Sequence, residues 1–304
     1  MTPSTRRLSL LLLLLIVLGG LTAAVMAWRI GGQLYAPNNY GVGPPPADLG
    51  AEVVTFPSRS DATLHGWWLP GSQSQAGVVL MHGSGTDRRS MVERARMLKA
   101  AGYPVLLFDF QAQGESLGSH VTDGYLEAQD ARAAVEFMRQ RGVKKVGIIG
   151  FSLGAAAAVL GPDGPLPVDA MVLEALYPTI EEATADRIRL HVGTWGGWLY
   201  PLFTWQLQPR LGIAPAALRP IDRLDKVKVP VLFIAGANDR HTPLAESERL
   251  YAAASEPKQL WVVPNAYHED FYERAPDTYR QRVLDFFAGT LRQQSRPVGL
   301  NHGR

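Results

Sequence analysis

One stretch constrains this chain more than any other: Val146-Gly147-Ile148-Ile149-Gly150-Phe151-Ser152-Leu153-Gly154. A short apolar run leads into Gly-x-Ser-x-Gly, and Ala155 to Leu160 follow with only small or aliphatic side chains. That is strand, sharp turn, helix. Such a turn holds its serine in a strained backbone geometry with the hydroxyl clear of the sheet. It needs neighbours with almost no side chain, which Gly150 and Gly154 supply, and the alanines let the helix pack close. A serine at the helix start also leaves the N–H of Leu153 free to stabilise a developing oxyanion. In a chain with 30 glycines the pentapeptide alone is a weak signal. The apolar run before it and the small-residue helix after it are the context the motif requires.

The flanking chain repeats the alternation. Strands are predicted over Ala51–Phe56, Leu64–Leu69, Ala76–Met81, Val105–Phe108, from Val146, over Asp169–Leu173, Val229–Ala235 and Gln259–Val263. Helices are predicted over Arg88–Ala101, Tyr125–Arg141, after Ser152, and over Tyr279–Leu291. Strands alternating with helices indicate an α/β class with a mostly parallel sheet covered on both faces. Between Pro178 and Asp225 the alternation breaks, and Trp195, Trp198, Leu199, Tyr200, Phe203, Trp205 and Leu207 crowd together. An aromatic-rich insertion between two strands is expected to be a cap, about 178–225. Its aromatics would line an acyl or aryl pocket or dip toward a membrane; the alternative is a second core layer.

Thr5-Arg6-Arg7 precedes an uncharged run from Leu8 to Trp28. About 20 helical residues span a hydrocarbon core of about 30 Å. Residues 1–29 are therefore read as a membrane segment, with Arg6 and Arg7 on the cytoplasmic side. An uncleaved anchor fits the length of the run. A signal peptide cleaved after Val25-Met26-Ala27 is the alternative, and both readings export the domain. A linker over 30–50 holds Pro37-Asn38-Asn39 and Pro44-Pro45-Pro46, spacer composition that would hold the domain a short way off the bilayer. The domain covers 51–295 and a tail 296–304. With a net charge of +2 and no basic stripe, nucleic acid is not an expected partner. The absence of cysteine excludes disulfides, a thiolate nucleophile and cysteine-ligated zinc. No metal and no cofactor is expected, and no obligate protein partner is evident.

In an α/β sheet, sites form at the carboxyl ends of strands. Four polar signals sit there: His82-Gly83-Ser84, Ser152, Asp239 and His268. A serine hydroxyl needs a base within reach, and the base needs an orienting carboxylate. The order Ser152, Asp239, His268 is that of the α/β-hydrolase type. With His82-Gly83-Ser84-Gly85, Asp109-Phe110-Gln111-Ala112-Gln113-Gly114-Glu115-Ser116, the serine turn, Gly236-Ala237-Asn238-Asp239-Arg240-His241-Thr242-Pro243 and Ala266-Tyr267-His268, the chain resembles the α/β-hydrolase superfamily over about Val53 to Leu291. Within it, the chain is similar to exported or membrane-anchored bacterial serine hydrolases allied to the prolyl oligopeptidase-like and depalmitoylase-like branches. Two departures stand out: Tyr267 where such hydrolases usually place Gly, and Gln111-Ala112-Gln113 where Arg or Tyr and His are more usual.

The resemblance implies an α/β-hydrolase fold and a catalytic triad of Ser152, His268 and Asp239, with the N–H groups of Leu153 and Ser84 as oxyanion hole. The expected reaction is cleavage of a carboxylic ester or thioester in a small molecule or lipid. A peptidase on the same triad, or an inactive scaffold that binds, are the alternatives. Dehalogenases and epoxide hydrolases are disfavoured, since those carry Asp at the nucleophile position. His241 rivals His268 as base, while His65, His120 and His191 lack a strand end. Glu174, at an earlier strand end, rivals Asp239. His82 reads as a structural loop histidine, and Glu269 and Asp270 as solvent-facing.

Overall fold

The computed structural model describes residues 3–72, 75–268 and 271–291. Glu269, Asp270 and the tail 296–304 lie outside the described residues. The fully apolar runs form the centre of the sheet, because a parallel strand is buried on both faces. The eight strands are β1 (Glu52–Pro57), β2 (Thr63–Leu69), β3 (Ala76–Met81), β4 (Val105–Phe108), β5 (Lys145–Phe151), β6 (Ala170–Glu174), β7 (Val231–Gly236) and β8 (Lys258–Val263). They lie side by side in the order β8-β7-β6-β5-β3-β4-β2-β1. Only β2 runs against its neighbours, pairing antiparallel with β1 and β4. β3 and β5, side by side at the centre, carry the two loops that matter most for chemistry.

Helices cover both faces. Helix α1 (Pro3–Leu34) precedes the sheet; α2 (Val92–Ala100), α3 (Glu127–Gln140) and α4 (Leu153–Val159) connect its strands. The insertion holds α5 (Ile180–Val192), α6 (Pro201–Thr204) and α7 (Leu207–Leu211) with short 3-10 turns; α8 (Leu244–Ala253), α9 (Phe271–Arg274) and α10 (Pro276–Leu291) complete the chain. α3, α4 and α8 bury side chains such as Val135, Ala156 and Leu250 in one core. α2 and α10 bury Leu98 and Phe287 in the other. The helix predicted from Arg88 begins instead as a 3-10 turn, Arg88–Met91, because the Asp87 carboxylate accepts from the Arg89 N–H and tightens the start. The insertion has a double character. Ile180, Leu207 and Leu218 feed the main core, whereas Trp195 and Trp198 are 86% and 81% exposed.

The first 50 residues depart from a free anchor and spacer. Every residue from Ser4 to Met26 is exposed, so this leucine-rich stretch packs on nothing within the chain. It is one helix, long and apolar enough to cross a membrane. Its last two turns behave differently. Ala27, Gly31 and Tyr35 are buried at a spacing of four, one face of a helix turned to the protein. Buried Gln206 donates from Nε2 to the Ala27 carbonyl at 3.0 Å. Arg210 lies 3.7 Å over the Trp28 ring, and Trp28 packs on Trp205.

The proline-rich stretch that follows is extended but strapped down. Asn38 and Asn39 pair in parallel with Gln113 and Gly114. The Tyr40 hydroxyl donates to Asp87 at 2.8 Å, and the N–H groups of Val42 and Gly43 donate to Glu115. A spacer composition allowed a free chain; the donors and acceptors along the loop after β4 hold it against the domain.

Candidate active site

Ser152 sits between β5 and α4 at φ 49°, ψ −105°. For a non-glycine residue this backbone is strained, and it persists only where the surroundings over-determine it. The Ser152 N–H donates to the Glu174 carbonyl at 2.8 Å, and its carbonyl accepts from Ala156 at 3.0 Å. A methyl group on Gly150 would stand 2.6 Å from the Gly154 carbonyl carbon, and one on Gly154 would collide with the Met81 carbonyl. The turn therefore tolerates only hydrogen at both places.

The loop after β7 supplies Asp239 and the loop after β8 supplies His268, and the parallel pairing of those strands brings the two loops together. His268 Nδ1 lies 2.8 Å from Asp239 Oδ2, and His268 Nε2 lies 3.3 Å from Ser152 Oγ. The N–H groups of His241 and Thr242 donate to Asp239 Oδ1 at 2.8 and 2.9 Å. These fix the carboxylate as an acceptor and aim its other oxygen at the imidazole. All three side chains are buried. In this line, a hydroxyl proton can pass to Nε2 while Oδ2 holds the Nδ1–H and so the tautomer.

Tyr267 fits without strain. The positive φ in its loop belongs to Asn265, at 57°, and the Tyr267 ring is exposed. Of the rival bases, His241 stacks on His268 with ring centroids 4.7 Å apart. His65 lies within β2 and His191 on α5, and among the described contacts neither meets Ser152. Of the rival acids, Glu174 is turned away from the histidine and held by Arg94 and Tyr279.

The loop after β3 passes close to the serine. A methyl on Gly83 would stand 2.8 Å from the Phe151 ring and 3.7 Å from Ser152 Cβ. That approach sets Gly83, the residue before Ser84, against the nucleophile turn. Among the described residues, neither the Ser84 N–H nor the Leu153 N–H has a hydrogen-bond partner. His82 is fully buried and holds this loop: it accepts from the Phe110 N–H at Nε2 (3.1 Å), and Nδ1 lies 2.7 Å from the Gly83 carbonyl. The Phe110 bond makes Nε2 the unprotonated nitrogen, and burial lowers the ring's pKa.

The two glutamines after β4 do structural work. Gln113 Oε1 accepts from the Gly85 N–H at 2.7 Å, tying the β3 loop in place. Gln111 donates to Glu127 at 3.2 Å. Arg88, missed by sequence reasoning, is buried between Asp109 and Glu115 and lies 4.7 Å over Trp67. Its only sequence signal was an arginine just after the glycine loop.

A nucleophile-type turn at the centre of such a sheet, with a histidine and an aspartate delivered by the last two strands, defines an α/β hydrolase. The chain belongs to the alpha/beta hydrolase family, whose model matches residues 78–282. It is 34% identical over 222 residues to the uncharacterized protein Rv2307c of Mycobacterium tuberculosis, covering 71% of this chain and 72% of that one. It is 26% identical over 238 residues to the uncharacterized protein YqkD of Bacillus subtilis, covering 77% and 78%. In fold it is similar to an esterase of Pyrococcus furiosus, with a TM-score of 0.70 at 23% identity over 85% of this chain and 98% of that one.

Proposed function

We propose that this protein is a membrane-anchored serine hydrolase that cleaves a carboxylic ester or thioester. The observation that carries the reading is the line Ser152–His268–Asp239, with separations of 3.3 and 2.8 Å, behind a serine at positive φ. An inert binding scaffold has no use for that strain.

Ser152 Oγ attacks the acyl carbon as its proton passes to His268 Nε2. The carbonyl oxygen becomes an oxyanion facing the N–H groups of Leu153 and Ser84. Asp239 holds the Nδ1–H and stabilises the imidazolium. The bond from acyl carbon to the leaving oxygen or sulfur breaks, and His268 returns the proton to that atom. Water then attacks the acyl-enzyme with His268 as base, and a carboxylic acid leaves. The test is labelling of the full chain with a fluorophosphonate, wild type against Ser152→Ala, beside hydrolysis of short ester, thioester and peptide substrates. Labelling confined to the wild type is expected. A folded wild type that takes no label returns the protein to the scaffold reading.

For location, the reading is a single N-terminal helix with the domain outside the cytoplasm. The uncleaved form is favoured by Ala27, whose carbonyl accepts from buried Gln206. Cleavage after Ala27 would carry that carbonyl off with the released peptide and strip buried Gln206 of this contact. Protease added to intact spheroplasts of an expressing bacterium should digest the domain and leave a protected N-terminal fragment. A domain fully protected until lysis refutes the orientation.

A further inference from the structure

Between the last turns of α1 and helix α5 lies a cavity of about 590 Å³. Ile30 and Leu34 of α1, Ile188 of α5 and Phe203 of α6 give it a mostly apolar wall; Asp123 and Arg187 add a charged side, and Ser84 opens onto it from the loop after β3. This is the volume and lining of a small-molecule site. Its link to chemistry is Ser84, which follows the glycine packed against Ser152. Its link to a membrane is α1 itself.

The depth of the cavity follows from helix geometry. If the hydrocarbon core begins after Arg7, about 20 residues carry the helix across it to Ala27. At 1.5 Å per residue, Ile30 and Leu34 then stand about 5 and 10 Å beyond the hydrocarbon edge. The headgroup layer is about 5 to 8 Å deep, and the ester bonds of lipids lie at its inner side. Trp28 and Trp205 pack together at the same end of the helix, as aromatic side chains do at an interface. The docked face of α1 is built for close approach: a side chain on Gly31 would collide with Gln206.

We propose that this cavity is the acyl site, that α1 is an integral wall of it, and that its occupant is the fatty acyl chain of a membrane-lipid ester entering from the bilayer. The proposal rests on the serine-hydrolase reading and adds the substrate class and the role of the anchor. Hydrolysis consumes one water and yields a fatty acid and the lipid alcohol. In this arrangement the anchor does more than tether. It delimits the pocket that the acyl chain fills, so the membrane segment and the catalytic domain form one functional unit.

The test uses the full chain in vesicles of phosphatidylethanolamine, phosphatidylglycerol and diacylglycerol, and in detergent with p-nitrophenyl butyrate and decanoate. Wild type should release fatty acid from the vesicles and prefer decanoate. Ile30→Trp narrows the cavity and Gly31→Leu undocks the helix. Each should lower the decanoate-to-butyrate ratio of kcat/KM by about tenfold or more while the protein still takes the fluorophosphonate label. A wild type that hydrolyses butyrate but shows no long-chain preference, or releases no fatty acid from vesicles, overturns the acyl-site assignment alone. So does an unchanged ratio in both folded variants. A folded wild type with neither label nor butyrate hydrolysis overturns the serine-hydrolase reading and this one with it.

Discussion

Arg94 holds Glu174 in a two-point ion pair: Nη2 donates to Oε2 at 2.6 Å and Nε to Oε1 at 3.1 Å. The Tyr279 hydroxyl donates to the same Oε1. Both charged side chains are buried. Two carboxylates, Glu174 and Asp239, therefore stand at neighbouring strand ends in different roles, one neutralised by an arginine and one facing an imidazole.

Removing one partner of a buried pair leaves an uncompensated charge, at a cost of about 3–5 kcal/mol. Glu174→Ala is expected to lose stability on that scale in denaturant titration, with its folded fraction still labelled by a fluorophosphonate. Asp239→Asn should do the reverse, keeping its unfolding midpoint while kcat falls about 10⁴-fold. A Glu174 variant that is stable but inactive, beside an active Asp239→Asn, would exchange the two roles.

The loop after β3 acts through its backbone. Ser84 is exposed at the side chain, and its N–H is the proposed oxyanion donor. Ser84→Ala should change kcat little. Ser84→Pro, which deletes the N–H, should lower kcat by about 10²–10³-fold, with circular dichroism to confirm the fold. Equal effects from the two variants would rule out the backbone donor.

The serine turn has no room to spare. Gly154→Ala places a methyl against the Met81 carbonyl in β3, and overpacking of this kind costs about 1–3 kcal/mol. Thermal unfolding should show the loss, with kcat reduced because the strain sits beside Ser152. An unperturbed Gly154→Ala enzyme would mean that the turn is looser than its contacts require.

Glu246 on α8 and Asp186 on α5 bring two buried carboxyls together. Burial first, then the hydrogen bond and charge of Asp186, push Glu246 up to about 9. The folded protein keeps a proton that the unfolded chain releases near its ordinary value of 4.5. Between those values the folded state binds more protons, so this contribution is complete below the lower value and is lost as pH rises through the higher one. Glu246→Gln retains a hydrogen-bonding group without titrating. It should flatten the decline of stability toward alkaline pH. A decline of unchanged slope in denaturation series across pH would show that the pair shares no proton.

Much of the scaffold was legible because it is written locally. The apolar runs before Ser152, Asp239 and His268 mark strand ends, and the small residues around Ser152 mark a turn that few other sequences can make. These signals lie within a few residues of the groups they position. The eight strands, the central serine and the order of the polar strand ends followed from them. The boundaries that shifted, such as the start of α2, did so where the Asp87 side chain intervened.

Tertiary structure decided what depends on residues far apart. Nothing near Glu174 in the chain announces Arg94, 80 positions earlier, and nothing near Ala27 announces Gln206, 179 positions later. The proline-rich stretch read as a free spacer because its composition is that of one, and only the loop after β4 turns it into a strap. Likewise the leucines of α1 specify a helix able to cross a membrane, but the docking of its last turns on the insertion needs Gln206 and Arg210 in place. Local pattern determines which elements form, since propensity and turn chemistry act over a few residues. Which elements meet is settled by packing and hydrogen bonds between distant residues, and those leave no periodic trace in the chain.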